Sequence, residues 1–174
     1  MLPDFFEAVK KGDRSAIEQM IQAKPDLSIA RTEAGVSAVL LALYYGHAEL
    51  AKFLASGRRD LDVFEAAALG DLARLAEILA HSPEMLNAYS PDGFQPLGLA
   101  CFFRQNSAAY ALLGMGAEVN SPSNNPAKVM PLHSAVASQQ LDLAAALLKA
   151  SAQVNARQGG GFVPLHGSAK NGQM

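Results

Sequence analysis

Tryptophan is absent from this chain of 174 residues, and cysteine occurs once, as Cys101. A single thiol excludes an internal disulfide framework and points to a reducing compartment, so a cytoplasmic protein is expected. Charge of one sign is also lacking. The formal net charge is -2, which provides neither the basic footprint that nucleic acid requires nor a polybasic segment for an anionic membrane. Nowhere do eighteen apolar residues run together, so no transmembrane helix is expected, and Met1 to Arg14 lacks the apolar stretch of a signal peptide. β-Branched residues are few. Half of the chain is nonetheless hydrophobic, enough for a packed core. Alanine and leucine, which lose little on entering a helix, dominate that half and favour an all-α protein.

The chain repeats itself. Displaced by 58 positions, Phe6-Glu7-Ala8 meets Phe64-Glu65-Ala66, Gly12-Asp13 meets Gly70-Asp71, and Leu41-Ala42 meets Leu99-Ala100. A finer interval follows: Pro96-Leu97, Pro131-Leu132 and Pro164-Leu165 lie 35 and then 33 residues apart. Each copy has the same physical logic. A proline can open a helix because the first amide has no intrahelical partner. Leu132, Ala135 and Ala137 then fit a helix of about two turns. A break follows at Gly12, Gly46, Gly70 or Gln139-Gln140. Leu143, Ala146, Leu147 and Ala150 have the spacing of a second helix, and Gly57 and Gly116 suit a left-handed cap. Helices this short are marginal alone, so each pair must bury its apolar face against a neighbouring pair.

These motifs resemble the ankyrin repeat. The resemblance rests on Gly93-Phe94-Gln95-Pro96-Leu97-Gly98-Leu99-Ala100, Met130-Pro131-Leu132-His133-Ser134-Ala135, Val163-Pro164-Leu165-His166, Gly46-His47 and Gly116-Ala117-Glu118-Val119-Asn120. It implies an all-α solenoid of stacked helix-turn-helix units with short β-turn fingers. The whole of 1–174 would form one domain, with repeats at about 1–31, 32–58, 59–89, 90–124 and 125–157 and a partial one at 158–174. Some features depart from the family. Gln95, Met130 and Val163 replace its threonine. Leu54 and Phe64 are too close to admit a finger, so a tight helix-to-helix link is expected there. Ser121 to Pro126 reads as a longer, more mobile finger, and Gly159-Gly160-Gly161 as a flexible one. Asn171-Gly172-Gln173-Met174 stands where a sixth repeat would begin its second helix, which suggests a longer natural polypeptide.

No residue constellation points to catalysis, to a metal or to a cofactor. His133 and His166 occupy the family's Pro-Leu-His, where the histidine hydrogen-bonds backbone in or between repeats. His47 follows a helix break, and His81 suits a helix C-terminus. Cys101 has no base beside it and reads as a small buried hydrophobe.

Binding of a protein partner, by a monomer, is the function that the resemblance implies. Contacts would come from a concave side built of finger tips and the ends of first helices. Mapped onto this chain, that face comprises Lys10, Lys11, Tyr44, Tyr45, Ala68, Leu69, Phe102, Phe103, Ala137 and Ser138, with Glu33, Val36, Asp92, Phe94 and Val129 from the fingers. One member of each aromatic pair, Tyr44-Tyr45 and Phe102-Phe103, is expected to be buried and the other partly exposed. The alternative is a spacer or regulatory segment of a longer polypeptide.

Overall fold

The computed structural model describes residues 1–170. Asn171 to Met174, where a second helix of the sixth repeat was expected to begin, lie outside the described residues. The chain is all-helical, as its composition predicts. The α-helices are α1 (Leu2–Lys11), α2 (Arg14–Ala23), α3 (Ala38–Tyr44), α4 (Ala48–Ala55), α5 (Val63–Leu69), α6 (Leu72–His81), α7 (Pro96–Phe102), α8 (Asn106–Gly114), α9 (Pro131–Ala137), α10 (Leu141–Lys149) and α11 (Pro164–Lys170). Two 3-10 turns, Pro25–Ile29 and Pro83–Asn87, follow α2 and α6. Among the described residues there is no strand, only an isolated antiparallel bridge between Arg31 and Ser37.

The chain divides into two compact units, Met1–Leu61 and Asp62–Met174. The division falls in the link between α4 and α5, where no finger forms, as the short Leu54–Phe64 spacing predicts. In the first unit α1 pairs with α2, α3 pairs with α4, and α1 packs on α3. In the second, α5 pairs with α6, α7 with α8 and α9 with α10. The first helices form one row, α5 on α7 on α9 on α11, and the second helices form another, α6 on α8 on α10.

Small side chains make the first row possible. Ala66, Ala67 and Ala68 of α5 and Ala100 and Cys101 of α7 are wholly buried, which lets neighbouring helices approach closely. Leu75, Leu97, Leu99, Leu112, Leu143 and Leu147 fill the space between the rows. Burying one such leucine contributes about 1.5–3 kcal/mol.

Fingers join successive pairs within each unit. They span 32–36, 90–94, 123–129 and 158–162, and each closes through a backbone bond: Thr32 N–H to Val36 O (2.9 Å), Ser90 to Phe94 (2.9 Å), Ser123 to Val129 (2.8 Å) and Gln158 to Phe162 (2.9 Å). A hydroxyl at the first position of three of them accepts a second amide. Thr32 Oγ1 takes Val36 N–H, Ser90 Oγ takes Phe94 N–H and Ser123 Oγ takes Val129 N–H. The longer finger is held on both sides and does not stand loose. Asn124 N–H donates to Gly93 O (2.6 Å), Asn125 Nδ2 to Asp92 O (2.8 Å), and Gly159 N–H to Ala127 O (2.6 Å). The last of these bonds also ties the glycine-rich finger down.

The break between paired helices needs a left-handed residue, and Gly12, Gly46 and Gly70 supply it, with φ of 70°, 81° and 76°. Arg104 and Gln139 adopt the same conformation at the equivalent places, with φ of 61° and 59°. Space differs among the glycines. A Cβ on Gly12 would press into the His47 ring, and one on Gly70 into the Gln105 amide, whereas one on Gly46 would meet nothing. Gly12→Ala and Gly70→Ala should therefore each cost about 1–3 kcal/mol, from backbone strain and a displaced neighbour. Gly46→Ala should cost only the backbone part, about 1 kcal/mol. Urea unfolding of the three variants checks this ranking, and equal losses would show that the inter-pair contacts at Gly12 and Gly70 are slack.

Candidate functional site

The candidate surface is built where each first helix ends and its finger folds back. In the first unit, α1 ends in Lys10 and Lys11 because Gly12 caps it, its amide bonding the Val9 carbonyl. Lys11 is exposed, and Lys10 donates to Glu7 Oε1 at 2.7 Å. That hydrogen bond and its charge hold the Glu7 carboxyl below its ordinary range and push the Lys10 ammonium up. Tyr45 adds to the rise in the Lys10 pKa. Lys10, Glu7 and Glu33 line a groove of about 360 Å³ between α1 and the finger at 32–36. Exposed pairs of this kind contribute little to stability.

In the second unit the surface is aromatic. Phe102 and Phe103 meet edge to face with ring centroids 5.0 Å apart, and Phe94 on the finger lies 6.3 Å from Phe102. The finger is fixed by Gly93, by the Ser90 hydroxyl bond and by Asp92, whose Oδ1 accepts from Ser90 Oγ. Beside the cluster, Arg104 reaches forward and donates to Ser138 O at 2.7 Å.

The aromatic pairs differ from expectation. Tyr44 and Phe103 are half-buried, Tyr45 is 51% exposed and Phe102 44% exposed, so neither pair has a fully buried member. In the second unit the reason is visible: Phe103 packs on Phe102, and Phe94 covers one side of it. Ala68 is a further correction. It is wholly buried between first helices, while Leu69 is half-buried. Ala137, Glu33 and Lys11 are exposed, and Asp92, Phe94, Val36, Val129 and Ser138 are half-buried. Lys10, Lys11, Tyr44 and Tyr45 thus belong to one unit, and Asp92, Phe94, Phe102 and Phe103 to the other.

The histidines hold backbone. His133 is buried, its Nδ1 accepting from Met130 N–H (3.3 Å) and its Nε2 donating to Ala156 O (3.1 Å) and Phe162 O (3.3 Å). His166 repeats the first of these bonds with Val163 N–H at 3.0 Å. His81 Nδ1 donates to Glu77 O at 2.8 Å near the end of α6.

Sequence reasoning missed the role of the residue that opens each second helix. Asp13 and Asp71 cap their own helices by accepting Ala16 and Arg74 amides at 3.0 Å. His47 and Gln140 stand at the same place but reach to another pair: His47 Nε2 donates to Lys10 O (2.9 Å), and Gln140 Nε2 to Cys101 O (2.8 Å). The sequence signal was available. Aspartate gives way to a longer donor after the first pair of each unit.

Among the described residues, no cluster of three histidine, cysteine or acidic side chains could hold a metal ion, and no helix is long and apolar enough to cross a membrane. Cys101 is wholly buried, and desolvation pushes its thiol up to about 12.

Two outcomes follow from this chemistry. A thiol reagent at pH 8 should leave Cys101 unmodified in the folded chain and label it fully in urea; rapid labelling without urea would mean that α7 is not packed as described. Burial, opposed by the Phe162 and Ala156 carbonyls, lowers the His133 pKa from its ordinary 6.5. The unfolded chain then binds the proton more readily, so this contribution is intact above pH 6.5 and fades as pH falls below it. Urea midpoints at pH 7.5 and 5.5 should drop more for wild type than for His133→Gln; equal drops would remove His133 from the account. The chain matches no protein-family model and no curated protein.

Proposed function

We propose that the chain is an ankyrin-type stack of helix-turn-helix repeats that binds a protein partner and performs no catalysis. The stacked pairs and their fingers support the repeat reading: in the second unit first helices lie in one row and second helices in another, and in each unit fingers join successive pairs. One observation carries the binding reading. Tyr45 and Phe102, at first-helix ends, are about half exposed although neither is needed to fill a core. Aromatic side chains give large contact area at low entropic cost and dominate binding hot spots. Lys10, Lys11 and Tyr44 extend the first surface, and Asp92, Phe94 and Phe103 the second. A monomer in the cytoplasm is the setting that suits a lone buried thiol.

The test is capture of a partner from native cells on the immobilised chain, followed by titration of variants. Tyr45→Ala and Phe102→Ala should each weaken that partner by about tenfold or more, with the urea midpoint unchanged. A double variant that binds normally would remove this surface from the function.

A further inference from the structure

We draw no further inference here: the strongest candidate, the apolar cleft of about 330 Å³ that Ala76, Leu79, Ala80, Pro83, Leu86 and Met115 line between α6, the 3-10 turn after it and the end of α8, carries nothing because nothing in the structure shows what covers it.

Discussion

Within each unit, order depends on hydrogen bonds that one helix pair makes to the backbone of its neighbour. First helices of seven residues are too short to persist in water. Apolar burial draws the pairs together but does not set their register, because leucine and alanine surfaces slide easily over one another. The polar bonds supply the register. His47 finds the Lys10 carbonyl, Gln140 the Cys101 carbonyl, and Asn120 both a donor and an acceptor beyond α10. A slip of one residue would leave the buried Gln140 amide and Cys101 carbonyl unpaired, at about 1–3 kcal/mol each.

That requirement explains where aspartate is used and where it is not. Asp13 and Asp71 open the second helix of the first pair in each unit and serve only their own helix. At His47 and Gln140 the same position bridges outward, and a carboxylate cannot donate to a carbonyl. Histidine and glutamine can. The cost is a helix without a side-chain N-cap, which α4 and α10 bear. A cap is worth about 0.5–2 kcal/mol, similar to the inter-pair bond that replaces it, so the exchange gives up little stability while fixing the packing.

Much of this was legible in the sequence. The 58-residue and 33-residue intervals marked the helix pairs, and the glycines and prolines marked their breaks and starts. The missing finger between Leu54 and Phe64 followed from spacing alone. Side-chain exposure was harder. Ala68 shares its place along the helix with solvent-facing residues of other pairs, but a methyl group is small enough to disappear between α5 and α7. The Phe102-Phe103 pair could not be sorted from sequence because Phe94, eight residues earlier on the finger, decides how much of it is covered. The firm seating of the finger at 123–129 was hidden for the same reason. Turn-forming residues announce a loop, but its anchors are the Gly93 and Asp92 carbonyls of another finger. Local pattern specifies the pairs, and contacts between pairs specify what they expose.

The same division separates what the fold needs from what it leaves over. Each first-helix end has to turn left-handed, with glycine, arginine or glutamine at the break, and those of α1 and α7 also deliver a carbonyl to the next pair. Neither duty calls for an aromatic ring one or two residues earlier. In α5 and α9 the corresponding places hold Leu69 and Ala137, and the helices still pack. Tyr45 and Phe102 are therefore not demanded by the stack. A half-exposed ring contributes only part of its area to folding, and the remainder stays in contact with water. Such surface gains most when a second molecule covers it. Lys10 and Lys11 in one unit and the Phe94–Phe102–Phe103 cluster in the other give these two faces different chemistry.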